Sequence, residues 1–114
     1  MYPYQNLHPG LVKFIKLLDD PYNLSLPLND LIAQTGFSYP HINRLFHSEM
    51  NTSAGKYFQQ KKINHAEALL RNTDKTITAI SESLGFFSPA QFSLFFKNKT
   101  GISPSRYRNS KSQS

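Results

Sequence analysis

Residues 28–57 read LNDLIAQTGFSYPHINRLFHSEMNTSAGKY, and residues 77–107 read ITAISESLGFFSPAQFSLFFKNKTGISPSRY. These are one pattern written twice. Leu28, Leu31, Thr35 and Gly36 align with Ile77, Ile80, Leu84 and Gly85 at a constant offset of 49. Past the glycine the offset is 50, and Ser38, Ile42, Phe46, Asn51, Ser53 and Tyr57 align with Ser88, Phe92, Phe96, Gly101, Ser103 and Tyr107. One extra turn residue in the second copy accounts for the change. An internal repeat constrains the fold before any single element does. Here the repeated unit is a short helix, a glycine turn, a second helix with a polar outer face, and a capped segment that reaches a tyrosine.

The periodicity around the repeats predicts seven helices and no strand. Leu11, Phe14, Ile15 and Leu18 recur at helical spacing and line one face of a first helix over about His8 to Asp20, with Pro9 in its first turn. Leu28, Leu31, Ile32 and Thr35 do the same for a second helix, which Gly36 ends in a left-handed conformation. Ser38 caps a third helix that runs to about Met50, with Ile42, Leu45 and Phe46 inward. A longer helix follows over about Ser53 to Arg71. The second copy repeats the plan. Ser88-Pro89-Ala90-Gln91 is a strong helix start, with serine at the cap, proline at the first position and glutamine three residues after the cap. Gly101 ends that helix. Asn51 holds the matching place in the first copy, and asparagine tolerates the left-handed region next best. Ser103-Pro104 opens a last short helix, and the polar residues Asn109 to Ser114 read as a disordered tail. The resulting division is a first lobe over 1–52, a linker helix over 53–71, a second lobe over 72–108 and the tail over 109–114.

The chain has 114 residues, enough for one compact domain or two very small lobes. Lys and Arg total 13 against 7 acidic residues, a formal charge of +6 with a pI near 9.7. That balance favours a polyanionic partner. Cysteine is absent, so disulfides and thiolate metal sites are excluded, in keeping with a reducing intracellular location. No apolar run approaches the roughly 18 residues that span a bilayer, and the N-terminus lacks a signal-peptide layout. The four histidines show no metal-ligand spacing. No phosphate-cradling glycine loop or nucleophile elbow occurs. The expectation is a protein that is not an enzyme, binds no cofactor or metal, and does not enter membranes. The phenylalanines Phe46, Phe92, Phe95 and Phe96 sit at burial spacing and read as core rather than as base-stacking platforms.

A helix-turn-helix places its second helix in the DNA major groove, the N-terminal part of that helix against the base edges. Two copies in register make that reading specific. With Gly36-Phe37-Ser38, Arg44-Leu45-Phe46, Gly85-Phe86, the run Phe92 to Lys97 and the closing Gly101-Ile102-Ser103-Pro104-Ser105-Arg106-Tyr107-Arg108, the chain resembles the DNA-binding domain of AraC/XylS-type transcription regulators over roughly Leu11 to Arg108. The resemblance implies an all-α fold of two homeodomain-like helix-turn-helix subdomains joined by one long helix, with the two recognition helices in successive major grooves. It implies a bacterial transcription regulator, activator or repressor, acting in the cytoplasm on the nucleoid, with double-stranded DNA and RNA polymerase as partners; the chain reads either as a small stand-alone regulator or as a piece of a longer one that carries an effector domain. Tyr2-Pro3-Tyr4-Gln5-Asn6 reads as the end of such a linker. A joining helix of about 18 residues is roughly 27 Å long, against the about 34 Å between successive major grooves on one face. Two unlike readers in one chain point to an asymmetric operator.

The family's base-contacting positions fall on Pro40, Asn43 and Arg44, with Tyr39 beside them. Arginine makes a bidentate contact to guanine, and asparagine does so to adenine. In the second copy the matching outward residues are Pro89, Ala90, Ser93 and Leu94. Leu94 stands where the family commonly has arginine, so this lobe offers only thymine-methyl contacts or a single serine hydrogen bond, and it is expected to read less than the first lobe and to hold DNA more through phosphates. Phosphate contacts are expected from Ser38, His47, Lys61, Lys62, Ser88, Gln91, Lys97, Lys99, Arg106 and Arg108. The competing reading is a helical protein-interaction module without DNA binding, which leaves the basic excess and the paired capped turns unexplained.

Overall fold

The computed structural model describes residues 7–112; Tyr2 to Asn6, expected as a linker end, and Gln113 and Ser114 lie outside the described residues. Among the described residues there are seven α-helices: α1 (Pro9–Leu17), α2 (Leu28–Ala33), α3 (Tyr39–Met50), α4 (Ala54–Asn72), α5 (Ile77–Ser83), α6 (Pro89–Thr100) and α7 (Pro104–Ser112). A 3-10 turn over Pro21–Ser25 joins α1 to α2. No strand occurs among the described residues. The chain forms two compact units that meet inside α4, between Gln60 and Lys61. The helix expected as a separate linker therefore lends its first turns to one unit and the rest to the other.

Within the first unit, Leu11, Phe14 and Ile15 of α1 are fully buried together with Leu31, Ile42 and Phe46. The Phe14 and Phe46 rings meet edge-on at 5.6 Å, and Tyr57 of α4 lies 5.1 Å from Phe46. Burial, with the Asp19 charge behind it, raises the Tyr57 pKa above its ordinary value. In the second unit Ile80, Phe92 and Phe96 hold the places of Leu31, Ile42 and Phe46; with Leu84 they are fully buried, and Tyr107 lies 5.5 Å from Phe96. Each buried side chain of this size contributes about 1.5–3 kcal/mol. Phe95 is the exception to the expected core set: it is only half-buried, covered on one side by Phe86 at 5.0 Å.

The turns show how one backbone is held by two sequences. Gly36 and Gly85 adopt φ values of 83° and 79°, and Asn51 and Gly101 end the recognition helices at 54° and 91°. These are left-handed positions, as the sequence requires. Under each turn lies one buried hydroxyl, but at different places. In the first unit Thr35 Oγ1 donates to the Ile32 carbonyl and accepts from the Phe37 N–H. In the second, Leu84 replaces that threonine, and Ser81, aligned with Ile32, donates instead to the Ser88 carbonyl at 3.0 Å. The apolar and hydroxyl residues have exchanged places, so each turn keeps one tether and one packing residue.

Two helix ends differ from expectation. α1 stops at Leu17 rather than Asp20. Pro21 excludes the helical conformation from the residue before it, and Asp20 sits extended at φ −88° and ψ 112°. Its carboxylate then accepts from the Tyr22 N–H, and Asn23 Nδ2 donates at 2.7 Å to the Leu17 carbonyl, which the Asp20 N–H reaches only at 3.4 Å. At the other end, α7 runs through most of the segment expected as a tail, to Ser112.

Arg108 explains why α7 is held. Its Nε donates to the Leu70 carbonyl at 3.0 Å, and its Nη2 reaches the carbonyls of Thr73 at 3.2 Å and Leu69 at 3.5 Å. The last carbonyls of a helix lack a partner in the next turn and carry the negative end of its dipole; that of Leu69 also accepts from the N–H and hydroxyl of Thr73. Arg71 Nη1 adds a bond to the Tyr107 hydroxyl at 2.9 Å. Arg108, expected as a phosphate contact, is thus a half-buried clamp on the end of α4. Replacing it with alanine is expected to destabilise the chain by about 1.5–3 kcal/mol, read by urea denaturation. Lysine is expected to recover less than half of that loss, because an ammonium lacks the planar fork.

Candidate nucleic-acid interface

Both recognition helices start from a rigid cap. Ser38 Oγ accepts from the His41 N–H at 3.2 Å, and Ser88 Oγ accepts from the Gln91 N–H at 3.0 Å. In α6 the Gln91 side chain also reaches back past the cap: its Oε1 accepts from the N–H of Phe87, the residue before Ser88, at 2.6 Å. Gln91, expected at a phosphate, therefore has its carbonyl oxygen in use, and its amide nitrogen remains to donate.

On α3, Tyr39, Pro40, Arg44 and His47 are exposed. Pro40, Arg44 and His47 follow one another at helical spacing along a single outer stripe. A shallow depression of about 470 Å³ lies beside them, lined by His41, Arg44, Leu45, His47 and Ser48. On α6 the aligned stripe is Pro89 and Ala90, Leu94 and Lys97, all exposed, with Leu94 63% accessible. The exposed cations Lys97, Lys99 and Arg106 stand on α6 and α7 of the same unit.

Asn43 departs from its expected place. It is half-buried, and its Oδ1 accepts from the Ala54 backbone N–H at 2.9 Å. Ala54 is the first residue of α4, where a backbone N–H has no partner within the helix. The recognition helix thus supplies a cap to the next helix, and Asn43 offers a partner outside the fold its Nδ2 amide rather than a free pair of donor and acceptor. The second copy explains the chemistry. Ala54 aligns with Pro104, which has no N–H, and Asn43 aligns with Ser93. Where the donor is missing, the long acceptor is missing too. Ser93 is half-buried.

Lys61 and Lys62 lie in the second unit's share of α4, both half-buried. The Lys62 ammonium sits 4.9 Å above the Phe86 ring, and burial lowers its pKa. A cation over a ring face is held by the ring's quadrupole, so Lys62 has a partner inside the fold that sequence spacing did not suggest.

Two further features were not anticipated. Phe87 is 95% accessible, the most exposed large apolar side chain described. The register contains its signal: Phe37 aligns with Phe86 and Ser38 with Ser88, so Phe87 is the inserted turn residue. The first unit instead gathers His8, Phe37 and His41. Phe37 and His41 stack at 5.2 Å, and His8 meets both rings edge-on at 5.4 Å. His8 Nδ1 accepts from the Gly10 N–H and so caps α1. Histidine is an uncommon cap, which is why the spacing alone did not reveal it.

A family model described as a helix-turn-helix domain matches residues 31–110. The Msm operon regulatory protein of Streptococcus mutans is 33% identical over 93 residues, which cover 82% of this chain and 34% of that protein. Regulatory protein SoxS of Salmonella typhimurium is 29% identical over 108 residues, covering 93% of this chain and 96% of that one. The crystal structure of a transcriptional regulator with an AraC-type DNA-binding domain from Chromobacterium violaceum aligns with a TM-score of 0.78 at 30% identity, over 92% of this chain and 94% of that one. The chain belongs to the AraC-type helix-turn-helix family, the DNA-binding domains of transcription regulators. It spans about a third of the length of the first curated relatives that it matches.

The pairing of Asn43 with Ala54 has a measurable consequence. Asn43→Ala is expected to cost about 1 kcal/mol of stability, the usual worth of a helix cap. In an Ala54→Pro background, which removes the N–H, the same substitution is expected to cost less than about half of that. Equal losses in the two backgrounds, measured by thermal denaturation, would show that Asn43 does not act through this bond.

Proposed function

We propose that the chain binds a specific, asymmetric stretch of double-stranded DNA through α3 and α6, each in a major groove, and so controls transcription initiation. The carrying observation is that Arg44 stands exposed on the outer stripe of a helix whose inner face and both ends are fixed by the fold. An arginine held at one place on a rigid helix is suited to a bidentate contact with guanine. Tyr39 and Pro40 flank it at the end of α3 that would approach the bases, and the Asn43 amide lies one turn along. On α6, Pro89, Ala90 and Ser93 take the corresponding places.

Lys97, Lys99, Arg106 and His47, together with the hydroxyls of Ser38 and Ser88 and the Gln91 amide at the helix starts, supply the phosphate contacts. Lys61 reaches the duplex from α4, and Lys62 adds charge from its place over Phe86. These contacts set affinity and orientation without reading sequence. α4, with 19 residues, is roughly 28 Å long, of the order of the groove repeat. RNA polymerase is the natural second partner for an activator of this kind. An effector-binding domain would belong to a longer chain, as the lengths of the larger relatives suggest. Action in the bacterial cytoplasm on the nucleoid follows from the same reading; among the described residues, no helix is long and apolar enough to cross a membrane.

Selection of bound duplexes from a random pool, followed by gel shifts at several salt concentrations, tests this reading. Affinity is expected to fall with salt at a log–log slope of about −0.9 for each phosphate neutralised. Arg44→Ala is expected to cost about 1–3 kcal/mol and to relax preference at one base pair, whereas Lys97→Ala is expected to weaken all sequences alike and shallow the slope by about one. No binding to any duplex at micromolar protein and low salt would favour the protein-interaction module instead.

A further inference from the structure

We infer that the second recognition helix reads thymine through its methyl group, with Phe87 and Leu94 as the reading side chains. The inference rests on the DNA reading above and names the base chemistry of its second half.

The exposed face of α6 and its entry turn is apolar where the matching face of α3 is not. Leu94, 63% accessible, stands in the register of Arg44, and Ala90 precedes it by one helical turn. Phe87, 95% accessible, is the residue inserted at the mouth of the helix. Neither is surplus from the core, because Phe92 and Phe96 of the same helix are fully buried and close it. Nor is Phe87 on a loose loop. Its N–H is bound by Gln91 Oε1 at 2.6 Å, and the next residue, Ser88, caps the helix at 3.0 Å. The backbone that carries this exposed ring is therefore held at a defined place.

The occupant follows from what surrounds the face. Lys97 lies on the same stripe one turn past Leu94, and Lys99 and Arg106 are exposed in the same unit. An apolar strip edged by cations matches a surface that is itself apolar in the middle and anionic at the edges. In the DNA major groove only thymine, through its C5-methyl, presents an apolar group, and phosphates line both sides. Leu94 also holds, in the second copy, the repeat position that Arg44 holds in the first.

The test replaces single thymines by deoxyuridine, which removes the methyl and leaves base pairing intact, across a duplex selected by the full chain. One or two neighbouring positions are expected to lose about fourfold each, the equivalent of about 0.8 kcal/mol per buried methyl. Leu94→Ala and Phe87→Ala are expected to abolish that sensitivity at those positions, while Arg44→Ala preserves it. Both altered residues are exposed, and unchanged thermal denaturation of the variants checks that the fold is kept. A flat deoxyuridine scan on a duplex that the chain binds tightly overturns the inference and leaves the DNA reading intact. So does a sensitivity that persists in both variants. Loss of transcription by Phe87→Ala with an unchanged deoxyuridine profile also overturns it, and assigns the face to a protein partner. Failure to select any duplex overturns the DNA reading and this inference together.

Discussion

A helix of 19 residues has unsatisfied backbone groups at both ends, and α4 depends on its neighbours to meet them. At its start, Asn43 of the recognition helix accepts from the Ala54 N–H, and Ser53 Oγ accepts from the Lys56 N–H. At its finish, Arg108 of α7 collects the carbonyls of Leu69, Leu70 and Thr73. The two ends are served by different chemistries because they present different groups: the donors are met by side-chain oxygens, the acceptors by a cationic donor. Each unit thereby fixes the helices it carries to its own part of α4.

Around those ends the two copies solve one packing problem with different residues. Phe46 under Tyr57 and Phe96 under Tyr107 are the same contact, 5.1 and 5.5 Å between rings. Thr35 and Ser81 tether the two turns from opposite places in the alignment. Asn43 with Ala54 becomes Ser93 with Pro104. Such paired exchanges show that what is repeated is a set of satisfied groups, not a set of residue identities. A buried hydroxyl or a buried N–H without its partner is costly, so one member of a pair cannot drift without the other.

The repeat, the helix order, the caps at Ser38 and Ser88 and the left-handed ends at Asn51 and Gly101 were legible in the sequence, because each follows from local backbone chemistry or from burial periodicity. The ends of α1 and α7 were less so. α1 yields early to Pro21, and α7 extends past Arg108 because that arginine docks on a helix more than thirty residues earlier in the chain. The same long-range logic gives Asn43 and Arg108 partners inside the fold that the spacing did not suggest. Spacing along one helix tells which side a residue is on, but not that an N–H from the next helix ends beside it. Lys62 was opaque for the same reason: its partner Phe86 lies on a different element.

Phe87 sharpens the contrast between local and long-range information. Its position was visible as a shift of one in the offset between copies, yet an insertion in a turn reads as slack until its surroundings are known. The bond to Gln91 makes it the opposite of slack. With Gln91 holding the Phe87 N–H and Ser88 holding the Gln91 N–H, the extra residue is locked to the first turn of α6. In the first unit the ring one place earlier, Phe37, turns inward enough to stack on His41. In the second, Phe86 takes the packing role against Phe92 and Phe95, which frees the inserted ring for solvent. Duplication copied the scaffold, and one added residue gave the second reader a side chain that the first has no place for.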